Sequence, residues 1–373
     1  MDTGEIEVIQ KLNTGLNADT VEWCPLEGLQ NILLCGTYQL QEQDTSTEQS
    51  TNKDEQVRDG GVIVFGVDFK NQCLPHLTEL SKLDHCGVLD IKWIDKRLED
   101  KAVFGLVDAE GFCQLLALDE SFSAKEISKA KLTTQSLGLS LGFSNPDNGK
   151  PYQVAASDSA GYLTVFDVEQ GLTPSISWHA HDYEAWITAF HKFDNNLVFS
   201  GGDDCRLKGW DTRDHSRPAF ISKRHQMGVC SMQSHPCLEH VFASGSYDEE
   251  VLVWDRRAMK TPLTSASLGG GVWRIKWNPS DGASILTATM YNGTHIIDYK
   301  NSNVDGMPIV SSHGDHNLAY GADWCRFNAH GEILSNNGHT DKDILSDPET
   351  YLIATCSFYD QSLHLWKWKN VIK

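Results

Sequence analysis

The stretch Gly201-Gly202-Asp203-Asp204-Cys205-Arg206-Leu207-Lys208-Gly209-Trp210-Asp211-Thr212-Arg213 opens on small residues, turns at an Asp and closes on Trp-Asp. Ser244-Gly245-Ser246-Tyr247-Asp248-Glu249-Glu250-Val251-Leu252-Val253-Trp254-Asp255 repeats that layout 44 residues later. A fixed period of this length ending on Trp-Asp marks the four-stranded blade of a β-propeller. Aligned on Trp210, further copies end at Phe166, Leu116 and Phe65 before it, and at Trp254, Ile297 and Trp366 after it, seven in all. Each alternates apolar and polar residues, as half-buried strands do.

A second column closes the first strand of each copy. Trp23-Cys24-Pro25, Phe143-Ser144-Asn145-Pro146, Ser234-His235-Pro236 and Trp277-Asn278-Pro279 carry a proline just beyond it, and Trp93, Phe190 and Phe327 take the matching places. Proline ends a strand and starts a turn. The expected fold is all-β, one seven-bladed WD-repeat propeller over residues 1–373. Two segments break the period. Residues 41–58 are polar and without apolar periodicity, and read as a disordered loop insertion in the first blade. Residues 329–348 read as a loop insertion in the last blade, which delays the Trp366 copy by 25 residues. Glu5–Leu12 is placed to supply the outer strand of that blade, closing the ring without a free edge.

Composition narrows the function. The 373 residues are 40% hydrophobic, with formal net charge −20. Such acidity argues against nucleic acid, whose phosphates need clustered Lys and Arg, and favours a basic or cationic partner, or simply solubility. The start, MDTGEIEVIQKLN, lacks the basic and apolar regions of a signal peptide, and no apolar run approaches the ~18 residues of a membrane span. Ten scattered cysteines without CxxC read as reduced thiols, so a cytoplasmic location is expected.

Asp59, Asp204, Asp248 and Asp360 lie six residues before the aromatic column, and His181 and His225 lie 29 before it. In WD-type blades this spacing builds a buried Asp–His–Ser/Thr–Trp network, a structural role. Asp203 is additional to that network. No G-x-S-x-G, H-E-x-x-H or P-loop occurs. His313, His316, His330 and His339 show no metal-ligand spacing with cysteine, so no metal and no cofactor are expected.

One column departs from the repeat. Four residues before the first-strand aromatic, facing the channel, stand Asp19, Leu89, Leu139, Trp186, Cys230, Trp273 and Asp323. The loops bearing Asp203, Tyr247, Met290, Tyr291 and Tyr359 converge on the same mouth. Two readings stand: a protein-binding scaffold surface with aromatic anchors, or a pocket that cages a cation between aromatic faces and carboxylates.

Leu34-Cys35-Gly36-Thr37-Tyr38-Gln39-Leu40, Gly201-Gly202-Asp203-Asp204, Gly245-Ser246-Tyr247-Asp248-Glu249, Gly269-Gly270-Gly271-Val272-Trp273-Arg274-Ile275-Lys276-Trp277, Tyr320-Gly321-Ala322-Asp323-Trp324 and Ala354-Thr355-Cys356-Ser357-Phe358-Tyr359-Asp360 resemble signature segments of the diphthine methylesterase family. The resemblance runs over nearly the whole chain. It implies hydrolysis of the methyl ester of methylated diphthine on translation elongation factor two, releasing methanol in diphthamide synthesis. That side chain carries a trimethylammonium, which suits an aromatic cage: Trp186 and Trp273, with Tyr247, Tyr359 and Asp203 beside them. No catalytic residue is carried over from the family. Ester hydrolysis needs an activated nucleophile and a held oxyanion. Cys356 or Cys230 with His316 or His313 is one route, and a water activated by Asp323 or His316 is the other. Arg274 or the amides near Gly269–Gly271 are the oxyanion candidates.

Overall fold

Each repeat folds as the strand pattern dictates: four antiparallel strands, the inner one short and nearly all buried, the outer one half exposed. The computed structural model describes residues 4–41, 57–68, 74–134, 136–146, 151–303, 305–326 and 349–371. These residues form seven four-stranded sheets and no helix. The inner strands, in chain order, are Ala18–Trp23, Val88–Trp93, Gly138–Phe143, Ile187–His191, Val229–Ser234, Arg274–Trp277 and Ala319–Trp324. They line the channel of a seven-bladed propeller. Blades one to six each run inner to outer in sequence order. Blade seven takes its outer strand from the N-terminus, Gly4–Asn13, which pairs antiparallel with Ser362–Asn370. The ring is closed by hydrogen bonds between the two ends of the chain, which give blade seven its fourth strand.

The core lies between blades, where the faces of neighbouring sheets interdigitate. Trp23, Cys35 and Phe65 of blade one pack with Ala354, Cys356 and Leu365 of blade seven. Phe199 of blade four stacks on Phe242 of blade five at 4.5 Å. The segments 42–56 and 327–348 fall between second and third strands of blade one and between first and second strands of blade seven. Most of both insertions, and Phe327, His330 and His339 with them, lie outside the described residues.

One regular irregularity matters for function. The inner strands of blades one, two, three, five and seven slip register after their first residue, leaving Asp19, Leu89, Leu139, Cys230 and Tyr320 unpaired. Such a bulge re-aims a side chain. In blades four and six the inner strand starts two residues later, directly after Trp186 and Trp273. These seven residues ring one end of the channel. The last differs from the expected column. Blade seven's inner strand ends at Trp324, three residues before Phe327, so Tyr320 takes the place assigned to Asp323.

Candidate functional site at the channel mouth

Trp186, on blade four, and Trp273, on blade six, touch with ring centroids 5.6 Å apart. Their blades are not neighbours, so the rings meet over the channel. Tyr247, from the turn of the intervening blade five, closes the triangle at 6.2 Å from Trp186 and 5.9 Å from Trp273. Tyr320 extends it by stacking on Trp273 at 4.7 Å, followed by Phe358 at 5.2 Å and then Tyr359 at 5.4 Å. The result is a continuous aromatic belt on one side of the mouth, with Tyr291 and Tyr359 largely exposed above it. Asp203 stands at its edge and accepts the indole N–H of Trp186 at 3.1 Å. Glycine is needed at 228: a Cβ there would sit 2.6 Å from the Asp203 carboxylate and 3.0 Å from the Tyr247 ring. The structure therefore brings Trp186, Trp273, Tyr247, Tyr359 and Asp203 to one place.

Below the belt the channel is wired by charge. Arg274 donates from Nη1 to Asp90 across the channel at 3.2 Å, while its Nε is buried with no partner. Asp19 lies within the field of both. Burial, and secondarily Asp90, drives its carboxyl from 3.8 to about 8 against the opposing pull of Arg274. A carboxyl raised in this way, in the ring that also holds Trp186, Trp273 and Tyr320, marks Asp19 as a candidate functional group. The sequence column contains Asp19 but gives no reason to single it out; its burial does.

Deeper still, Glu22 accepts from Lys92 at 2.7 Å and Lys276 at 2.6 Å, and Lys276 reaches Asp323 at 3.5 Å. Burial opposes ionisation of Glu22, but the two ammonium groups outweigh it and bring it to about 2. Asp323 also accepts the Trp23 amide at 2.8 Å. It belongs to this ion network at the far end of the channel, not to the mouth where the register of the repeat places it. A cavity of about 330 Å³ opens at that far end, lined by Glu22, Lys92, Lys192, Lys276 and Arg274 among others. Its wall carries five cationic side chains, Arg326 with these four, against the carboxylates of Glu22 and Asp95, which makes it a poor site for a cationic ligand.

Cys356 and His316 are placed apart from the belt. Cys356 lies on the second strand of blade seven, fully buried against blade one, with its thiol on the Ala18 carbonyl at 3.5 Å. Burial raises its pKa far above that of a free thiol, so no thiolate forms. Cys230 is likewise buried and raised. His316 is not a solvated loop residue: its Nε2 meets Thr355 Oγ1 at 2.8 Å, and Trp366 Nε1 donates to the same hydroxyl at 3.1 Å. This is the network that His181 makes with Ser200, Trp210 and Asp204, and His225 with Ser244, Trp254 and Asp248. The expected structural role of those two histidines holds. Asp360, expected to complete the set in blade seven, instead has a buried oxygen without a partner.

The fold and its mouth define a WD-repeat propeller whose channel end carries a belt of aromatic side chains with Asp203 at its edge. The WD domain, G-beta repeat model matches residues 172–211 and 217–255. A chain in a crystal structure of the mitotic checkpoint complex aligns with TM-score 0.66 and 16% identity, covering 96% of this chain and 91% of its own, which establishes the fold. The human protein called diphthine methyltransferase is 36% identical over 97% of this chain and 98% of its own. The Dictyostelium discoideum homolog is 32% identical over 94% and 96%, and the Schizosaccharomyces pombe protein of that name 30% identical over 91% of each. The chain belongs to the diphthine methyltransferase family.

Proposed function

We propose that this protein acts in diphthamide biosynthesis, as a carboxylic ester hydrolase that removes the methyl ester of methylated diphthine on translation elongation factor two. The observation that carries this reading is the triangle of Trp186, Tyr247 and Trp273 at the same end of the channel as the buried carboxyl of Asp19. A trimethylammonium donates no hydrogen bond and is attracted by ring faces at about 0.5–2 kcal/mol a contact. Asp203 and the net charge of −20 add attraction for it. With the cation on the belt, the ester of the same side chain reaches down toward Asp19 and Arg274.

The chemistry assigned to that pair is direct water attack. The Asp19 carboxylate takes a proton from water as its oxygen bonds to the ester carbonyl carbon. The carbonyl oxygen becomes an oxyanion facing the guanidinium of Arg274, whose Nε has a donor to spare. The tetrahedral intermediate collapses, the C–O bond to the methoxy group breaks, and that group leaves as methanol with the proton from Asp19. The product acid gives its remaining proton to solvent, leaving the free carboxylate of diphthine. The substrate's role in translation puts this reaction in the cytoplasm.

A scaffold that only binds a protein partner at the mouth is the competing reading. Incubating the purified chain with methylated elongation factor two, with no methyl donor added, separates the two. The esterase reading expects methanol release and loss of the ester mass. Binding without either outcome supports the scaffold.

A further inference from the structure

Blade seven keeps the histidine, hydroxyl and tryptophan of the polar network but not the carboxylate. In blade four, Asp204 and Lys208 face His181. In blade seven two imidazoles stand there. His364, on the third strand, stacks on His316 with centroids 4.2 Å apart. His313, ending the outer strand of blade six, places Nε2 3.0 Å from His364 Nδ1. One ring nitrogen of each of the three residues lies within 4.8 Å of the others. All three side chains are at least nine-tenths buried, and His316 Nδ1 has no hydrogen-bond partner.

We propose that His313, His316 and His364 bind a divalent transition-metal ion, zinc in the first instance, which clips blade six to blade seven beside the closure of the ring. A buried ring nitrogen without a partner is costly in a protein. A metal ion relieves it. If His316 Nε2–H donates to Thr355, the lone pair falls on Nδ1, the atom left over. A ligand histidine whose other N–H is held by a neighbouring acceptor is the usual arrangement around a metal. The 3.0 Å between His313 and His364 is close to the ~3.3 Å edge of a tetrahedron with zinc–nitrogen bonds near 2.0–2.1 Å. Three imidazoles suit zinc, copper or nickel over calcium or magnesium.

The surroundings agree. All three rings are buried, which favours the neutral imidazole that binds metal. Asp315, ion-paired with Lys11 of the N-terminal strand, supplies a carboxylate beside the cluster. The other grouping of this kind, His85, Cys86 and Asp108, differs: Asp108 is taken by the amides of Glu110 and Phe112 and by Gln114, which also bonds His85.

Cobalt(II) is the probe. The full chain, stripped with a chelator and titrated with cobalt(II), is expected to develop the intense visible absorption of a tetrahedral site at one ion per chain. Zinc then displaces it and raises the melting midpoint by ~5 °C. His364→Gln and His313→Gln are expected to abolish the absorption and the zinc shift. His181→Asn, which breaks the blade-four network alone, retains both. A wild-type titration with neither tetrahedral absorption nor a zinc-dependent midpoint overturns the proposal, whatever the variants do; so does full cobalt binding by both glutamine variants.

Discussion

Arg274 and Asp90 reach each other across the propeller channel at 3.2 Å, joining blade six to blade two through its centre. Asp90 is further held by Lys92 at 2.7 Å and by Ser140 of blade three at 3.0 Å. Burial opposes ionisation of Asp90, yet Lys92 and Arg274 hold it below the usual carboxylate range. The channel of this protein is thus a buried charge lattice capped by an aromatic mouth, and its two ends respond differently to substitution.

At the far end, Lys276→Met removes a cation that neutralises Glu22 and Asp323 together. Removing one partner of a buried ion pair costs about 3–5 kcal/mol. Chemical denaturation should read a loss of that size, whereas Lys11→Met on the exposed surface should cost under about 1 kcal/mol.

At the mouth, Trp186→Ala and Trp273→Ala each remove one wall of the cage. A loss of 0.5–2 kcal/mol of cation attraction corresponds to an increase in KM of about 2- to 30-fold. Steady-state methanol release should show this rise with kcat less affected. An unchanged KM in both variants contradicts the cage.

The titration of Asp19 gives a signed prediction for stability. A carboxyl with a native pKa of about 8 and an ordinary value of 3.8 holds its proton more tightly folded than unfolded. Its stabilising contribution is fully present below about pH 4 and is lost as the pH rises toward 8. Asp19→Asn cannot ionise, so its melting midpoint should gain on the wild type steadily between pH 4 and 8. Parallel stability curves for the two proteins would mean that Asp19 is not held neutral.

Cys356→Ala trims a packed strand residue and should leave methanol release at the wild-type rate, with a stability cost of about 1 kcal/mol. In metal-free protein His316→Ala should destabilise by about 1–3 kcal/mol, as His181→Ala does, because the Thr355 hydroxyl, which also accepts the Trp366 indole, loses its imidazole partner. Abolished turnover in a fully folded Cys356→Ala protein would restore the thiol to the reaction.

How much of this is readable in the chain depends on where the repeat stays in phase. Trp210 and Trp254 follow histidines 29 residues upstream, so their blades and polar networks are legible. In blade seven the same network spans His316 to Trp366, 50 residues, because the second insertion lies inside it. His316 therefore looks like a loop residue until the strands are seen. The same insertion hides the end of the inner strand. Phe327 and Trp324 are both plausible closing aromatics by pattern, and only pairing of Trp324 with Ile353 settles the register and puts Tyr320, not Asp323, at the mouth. Trp186 and Trp273 are legible because they are the two aromatics in a column otherwise of Asp, Leu and Cys. Asp19 shares that column, but the burial that alters its chemistry comes from packing among blades, which no single repeat encodes.

The most direct measurement is the pH profile of methanol release from methylated elongation factor two by the wild type and by Asp19→Asn. The account predicts that kcat/KM of the wild type climbs through a pKa of about 8, and that Asp19→Asn falls by about 10²–10⁴-fold and loses that limb. Wild-type turnover in the Asp19→Asn protein, or no methanol from the wild type at any pH, would contradict it.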